Sequence, residues 1–440
     1  MKRTPVLLLS LGVILTGLPR NAAAAGPAPA LISTVVSSGS YSNSLDNRTY
    51  QFQLLQLSQP GGRTTYALWF PPNSSAGPRP AVLFTDPYDG VTWSSASVDQ
   101  SWLARYNPAQ SDYPDVNGPF YGPNSGPITY YPWTMDQIPP TGGTCMIHNV
   151  GVLFAFERFY AGGSIADNVE DTTLALKFLQ QQGGVDLKHL GIFGFSWGGF
   201  EALYGAANAP AGAVPAVGVA WSTPSDMEQT YQYITQDLPG LIQDPNVLAQ
   251  RQLFYDPYDR RIIAGTVTSF SPLTLDFSSY NLNFLQANLK TKFLVFHDTW
   301  DTIVPFEQSV ALVQALPGEV QGLWFPHVGP IDYNTLPLSH TPVQSDLESS
   351  NAYVFTSVYL LERLLPANAQ IYIPYSSSDI ITYFTYIRSL QKQGVDISTL
   401  LPRLNDLTDQ RIVMIDESPS PGNLPPEPGT YWVHYFLNLP

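Results

Sequence analysis

Six residues, Gly194-Phe195-Ser196-Trp197-Gly198-Gly199, stand between an apolar run, Leu190 to Phe193, and a helix-forming segment, Gly198 to Ala207. In that context Gly-x-Ser-x-Gly reads as a nucleophile elbow: a strand turns sharply into a helix and lifts the serine to the carboxyl edge of a sheet. The glycines flank a tight turn where side chains would collide with neighbouring elements. Ser196 is therefore the candidate nucleophile, and the backbone N–H of Trp197, at the helix N-terminus, is placed to stabilise an oxyanion. The alternative is a Gly-rich strand-to-helix turn with no chemistry.

A serine hydroxyl is a weak nucleophile; it needs a base, and the base needs an orienting acid. Where the serine sits on such an elbow, the chain order is Ser, then Asp or Glu, then His. The strand Phe293-Leu294-Val295-Phe296-His297 leads into Asp298-Thr299-Trp300-Asp301-Thr302-Ile303-Val304-Pro305. Asp301 is the candidate acid, with Asp298 as its rival. Two histidines follow the next strand, Gly322 to Phe325. His327 comes directly after it, with little loop to swing its ring over the serine. His340, in Pro337-Leu338-Ser339-His340-Thr341-Pro342, ends a longer loop, and Pro342 can open a helix through Leu347 to Leu361. His340 is the preferred base and His327 the runner-up. His148, His189 and His434 precede the serine or lie in the tail, and His297 reads as a satisfied strand-end residue. No pair of histidines has the His-x-x-x-His spacing of a helical metal site, and no metal is expected.

Strand and helix patterns alternate along the chain. Tyr50 to Leu57, Thr65 to Phe70, Pro80 to Thr85, Asn149 to Glu157, Ala216 to Trp221 and Lys292 to His297 read as strands. A helix with Asp167 as its cap carries Val169, Leu176 and Leu179 on one face and stops at Gly183-Gly184. Such alternation predicts an α/β fold with a doubly wound, mostly parallel sheet. The core is assigned to residues 40–224 and 287–365, with a long loop insertion at 91–147. Residues 225–286 are too many for one crossover helix and predict a helical cap. Its Tyr231, Tyr233, Phe254 and Tyr255 are expected over the elbow. Residues 366–440 read as irregular, apart from a helix near Ile380 to Gln393.

Residues 1–25 read as a signal peptide: Lys2 and Arg3, an apolar run from Val6 to Leu18, then Asn21-Ala22-Ala23-Ala24-Ala25. The expected location is secreted or periplasmic, with no membrane association after cleavage. Twenty basic residues against 35 acidic ones give a net charge of −15. That balance, with no basic cluster, argues against a nucleic-acid partner. The single cysteine, Cys145, excludes an intrachain disulfide framework.

The order of these motifs resembles the α/β-hydrolase superfamily over roughly residues 50–365. Pro80-Ala81-Val82-Leu83-Phe84-Thr85-Asp86-Pro87-Tyr88-Asp89, and the stretch from Asp167 through Val185-Asp186 to Gly199, are similar to the X-prolyl dipeptidyl aminopeptidase and cocaine-esterase type. Dienelactone-hydrolase-like and prolyl-oligopeptidase-like sequences share much of the pattern. The resemblance implies that the Tyr88 hydroxyl joins the Trp197 N–H in the oxyanion hole. Glu157-Arg158-Phe159-Tyr160 departs from that group's Asp-x-Arg-Gly, and 366–440 is too short for its jelly-roll domain. The expectation is an exported serine hydrolase acting on a small-molecule or peptide ester or amide, with no cofactor. A non-catalytic binding protein on the same scaffold is the alternative.

Overall fold

The computed structural model describes residues 30–60, 64–85, 139–156, 165–250, 277–334, 346–417 and 427–438. In chain order the first half comprises β1 (Ile32–Asn43), β2 (Arg48–Ser58), β3 (Thr64–Phe70), β4 (Arg79–Thr85), α1 (Thr144–Ile147), β5 (Gly151–Phe156), α2 (Ile165–Gln181), β6 (Val185–Phe195), α3 (Trp197–Ala207) and β7 (Val217–Trp221). The middle comprises α4 (Met227–Gln232), α5 (Leu238–Leu241), α6 (Pro245–Gln250), α7 (Leu282–Asn288), β8 (Lys292–Asp298), α8 (Phe306–Ala315), β9 (Val320–Phe325) and α9 (Asp346–Leu364). The last part adds β10 (Ile371–Tyr375), α10 (Ser377–Lys392), α11 (Leu400–Asp406), β11 (Ile412–Asp416), β12 (Glu427–Pro428) and α12 (Gly429–Asn438).

The nine-stranded sheet runs β1-β2-β3-β5-β4-β6-β7-β8-β9. β5, β4 and β6 to β9 are parallel, while β1, β2 and β3 join at one side by antiparallel pairing. This is the α/β-hydrolase order, with β1 added outside it. The parallel strands are apolar on both faces because helices cover both. Val82 and Phe84 of β4 and Phe296 of β8 pack with α9 and the C-terminal segment. Ala81, Leu83, Phe293 and Val295 pack with α2, α3 and α8 on the other face.

The structure departs from the sequence pattern at four places. β1 was not anticipated: it is an edge strand, Ser-rich, and exposes Ile32, Val35 and Val36, so no inward face shows in its sequence. β6 begins at Val185 rather than Leu190, because Arg79 pairs Val185 before a register shift brings Ala81 opposite Leu190. Asp167 does not cap α2, which starts at Ile165; it stands in the first turn, where an acidic side chain complements the helix dipole. The end of the supposed loop insertion is helical: Pro139–Gly143 is a wide helical turn and α1 follows, burying Thr144, Cys145 and Met146. Burial pushes the Cys145 thiol up to about 12. The signal segment, residues 86–138 and the cap aromatics Phe254 and Tyr255 lie outside the described residues. No described helix is long and apolar enough to cross a membrane.

The C-terminal segment is not irregular. β10 and β11 pair in parallel, β12 joins β11, and α10 to α12 surround them. Its Ile373, Tyr383, Leu404 and Met414 share one core with α9 and the main sheet. It also covers the outer edge of β9, where the Trp324 N–H donates to Thr399 Oγ1 at 3.0 Å and Arg403 Nη2 to Gln321 Oε1 at 3.2 Å. Arg363 lies over the Tyr359 ring, 3.7 Å from its centroid. Beside this group, burial and then the Asp406 charge push the Glu362 carboxyl up to about 7, against Arg363 and Arg411. Glu417 is raised to about 7 by burial and by Asp416.

A carboxyl raised above its unfolded value near 4.3 stabilises the fold at acid pH, and that contribution is lost as pH climbs through its folded value. Thermal midpoints should therefore fall between pH 5 and 8. Glu362→Gln should raise the midpoint at pH 8 by about 1–2 °C and leave it near the parent value at pH 5. Equal shifts at both pH values in scanning fluorimetry would refute the assignment.

Candidate active site

The elbow is built from close packing. A Cβ at Gly194 would lie 2.2 Å from both Gly198 O and Thr85 Oγ1, and one at Gly199 would lie 2.7 Å from Thr223 Cβ. Hydrogen at these two positions lets β4, β6, β7 and α3 converge. Thr85 Oγ1 donates to the Gly198 carbonyl at 2.6 Å and ties the end of β4 to the first turn of α3. Ser196 is forced to φ 54° and ψ −123° and is 4% exposed. A non-glycine residue held at positive φ costs about 1–3 kcal/mol and persists only where the surrounding structure holds it. Its N–H donates to the Trp221 carbonyl at 2.7 Å, so the strain is anchored by the neighbouring strand. Trp197 is the first residue of α3, where helix N–H groups have no intrahelical acceptors.

Two strands away, β8 leads into the loop of the candidate acid, Asp301 (the acid loop). Asp301 is 1% exposed, and its Oδ1 accepts from the N–H groups of Ile303 at 2.8 Å and Val304 at 2.9 Å. Fully buried His297 stands behind it: Nε2 donates to the Val304 carbonyl at 2.9 Å and lies 3.3 Å from Asp301 Oδ2, while Nδ1 accepts from Ser309 Oγ at 2.6 Å. His297 is thus the satisfied strand-end residue expected, and it also borders the acid. The rival, Asp298, is engaged elsewhere. Its Oδ2 accepts from His327 Nε2 at 2.7 Å and its Oδ1 from the Trp300 N–H. His327 Nδ1 lies 3.1 Å from the Tyr386 hydroxyl, and the Trp300 indole stacks on its ring at 4.6 Å. His340 and Tyr88 lie outside the described residues.

Described residues of the segment expected to form a cap meet the acid loop. The Tyr233 hydroxyl donates to the Thr302 carbonyl at 2.7 Å. Nearby Tyr333 is held above the usual phenol range by burial and then by the Glu307 carboxylate, so it stays neutral. Gln308 of α8 fastens the base of the cap: its Oε1 accepts from the Ser225 and Asp226 N–H groups and its Nε2 donates to Thr230 Oγ1. Thr85, Ser309, Gln308 and Tyr386 were not singled out in the sequence. Only Thr85 left a signal, as a hydroxyl at the end of an otherwise apolar strand. Among the described residues, no group of three or more His, Cys, Asp or Glu is placed to hold a metal ion.

Gly194→Ala tests the packing. The added methyl meets backbone on one side, so relief requires the elbow to move. Destabilisation of about 1–3 kcal/mol or more is expected, with loss of any Ser196 reactivity, measured by urea unfolding and probe labelling. A folded, fully reactive variant would contradict the close approach.

Residues 155–325 match the family described as the prolyl oligopeptidase family, Peptidase_S9. No curated protein matches the chain. Among solved structures, acetyl xylan esterase 1 from Thermoanaerobacterium sp. is 14% identical, over 77% of this chain and 89% of that one, with a TM-score of 0.40. An esterase from Pyrococcus furiosus is 13% identical, over 72% and 92%, with a TM-score of 0.43. Dipeptidyl peptidase 4 from Porphyromonas gingivalis is 14% identical, over 72% and 36%, with a TM-score of 0.43. The stretch that matches the family runs from the end of β5 to the end of β9 and contains both the elbow and the acid loop. Over residues 155–325 the chain is thus similar to the prolyl oligopeptidase family, on a sheet with the strand order of the α/β-hydrolase fold.

Proposed function

We propose that the protein is an exported hydrolase that cleaves an ester or amide by acyl transfer, with Ser196 as nucleophile, His340 as base and Asp301 as orienting acid. The observation that carries this reading is Ser196 at φ 54° on the β6–α3 elbow, at the same sheet edge as Asp301. The base takes the serine proton as the oxygen attacks the carbonyl, then gives it to the leaving group. Asp301 holds the imidazole and stabilises its charged form. The Trp197 N–H, with the Tyr88 hydroxyl as partner, receives the oxyanion of the tetrahedral intermediate. Water repeats the attack on the acyl-enzyme.

The partners of His327 support His340 over it. A triad histidine gives one nitrogen to its acid and the other to serine, whereas the two nitrogens of His327 meet Asp298 and Tyr386. Esters are slightly favoured over peptides as substrates, because no acidic pair is assigned to hold a peptide's free amine. Of the carboxylates in the expected cap segment, Asp226, Glu228, Asp237 and Asp244, two (Asp226 and Asp244) accept backbone N–H groups of Glu228, Gln229 and Asn246. Export rests on the N-terminal pattern of Lys2, Arg3 and the run from Val6 to Leu18.

A fluorophosphonate probe should label the parent stoichiometrically and Ser196→Ala not at all. On a p-nitrophenyl ester, His340→Ala should lose about 10³- to 10⁴-fold in kcat, and His327→Ala far less. The reverse order of losses would transfer the role to His327. Undiminished labelling of Ser196→Ala would end the serine mechanism altogether.

A further inference from the structure

The C-terminal segment carries no residue of the proposed triad, yet a continuous set of contacts joins it to the loop that bears Asp301. Tyr386 stands on α10. Its hydroxyl donates to the Pro326 carbonyl at 3.2 Å and lies 3.1 Å from His327 Nδ1. It thus grips the two residues that follow β9. His327 then holds the start of the acid loop at three points. Its Nε2 donates to Asp298 Oδ2 at 2.7 Å, its backbone N–H donates to Thr299 Oγ1 at 3.1 Å, and its ring stacks on Trp300. The Trp300 indole N–H donates in turn to the Gly329 carbonyl at 3.2 Å. Asp298, Thr299 and Trp300 immediately precede Asp301. The Asp298 side chain is 1% exposed and that of His327 is 20% exposed, so the pair is largely shielded from water.

We propose that the C-terminal segment is a positioning element of the active site, acting through Tyr386, His327 and Asp298 to hold the loop that carries Asp301. The inference rests on the reading of Asp301 as the triad acid. On its inner side, the loop is held by His297 at the Val304 carbonyl and by its own backbone turn. Those contacts set the local shape of the loop. The outer contacts set where that shape stands relative to β9, after which the proposed base enters. Small displacements of a catalytic group are costly: a misplacement of about 1 Å can cost about 10²-fold in rate. Tyr386, His327 and Asp298 are positioning residues, since none is assigned a contact with the reacting atoms.

Tyr386→Phe is the test, because it removes one oxygen and keeps the ring beside His327, 6.1 Å between centroids. The full-length variant is assayed on a p-nitrophenyl ester, and active sites are counted by stoichiometric fluorophosphonate labelling. The expected result is a fall in kcat per labelled site of about five- to tenfold, with KM within about twofold of the parent. A parent value of kcat per labelled site overturns the proposal, whether or not the thermal midpoint falls. A rise in KM with kcat unchanged also overturns it, since that would place Tyr386 in substrate binding. Ser196→Ala run in parallel separates the two readings. If it still hydrolyses the ester, the serine mechanism has failed; if it is inactive and Tyr386→Phe behaves as the parent, only the positioning role has failed.

Discussion

Three backbone hydrogen bonds at the carboxyl edge of the sheet hold the site together. The Ser196 N–H donates to Trp221 O at 2.7 Å, Ser222 to Phe296 O at 2.8 Å, and Thr299 to Phe325 O at 3.0 Å. Each is the first residue after its strand, so the parallel ladder continues one step into the turn. Two of them, Ser196 and Ser222, leave the sheet at positive φ, 54° and 43°. The ladder thus secures a strained exit just where the chain must change direction. It also sets the spacing of the chemistry. Adjacent strands lie about 4.8 Å apart, so the ends of β6 and β8 stand about 10 Å apart. That gap is too wide for a serine to meet an aspartate directly. In the proposed mechanism a base from a third loop spans it.

With charged residues at only 12% of the chain, polar satisfaction depends on neutral side chains bonded to backbone. Gln308 accepts from two N–H groups at the start of the cap, and Thr85 serves a carbonyl of the elbow helix. Sheet edges, which natural proteins commonly blunt with lysine or proline, are treated the same way here. Thr399 takes the Trp324 N–H of β9, and His148 Nε2 accepts the Tyr372 N–H of β10 at 3.0 Å. Such bonds require the donor and acceptor to be brought together by tertiary packing. This is why they cannot be seen in sequence spacing: Thr399 lies 75 residues from Trp324, and His148 lies 224 from Tyr372.

The legible parts of the chain were those governed by local rules. Buried parallel strands are apolar on both faces, so β4, β5, β7 and β8 stood out, and the elbow announced itself by glycines that packing demands. Edge strand β1 was opaque because half its neighbours are water, and β10 and β11 because each is only five residues long. The sequence order Ser, Asp, His narrowed the base to two histidines, and loop length preferred His340 over His327 by reach alone, since it says nothing of ring orientation. The three-dimensional partners of His327 bear on that choice. Its acid is Asp298, three positions before the expected one, and no spacing rule links residues 29 apart in adjacent loops.

The acid loop is gripped from three directions by parts of the chain that are distant in sequence. From below, His297 on β8, its own ring held by Ser309 of α8, donates to the Val304 carbonyl. From the cap, Tyr233 donates to the Thr302 carbonyl. From the β9 side, His327 holds Asp298 and Thr299, with Tyr386 behind it. A carboxylate that must orient an imidazole gains from such redundancy, because preorganised groups need no rearrangement as charge develops. The elbow is held rigid by steric closeness, around glycines that admit no side chain. The acid loop is held by hydrogen bonds to three separate supports. The first solution is written locally in Gly194 to Gly199; the second exists only after the cap, the core and the C-terminal segment have all folded around β8.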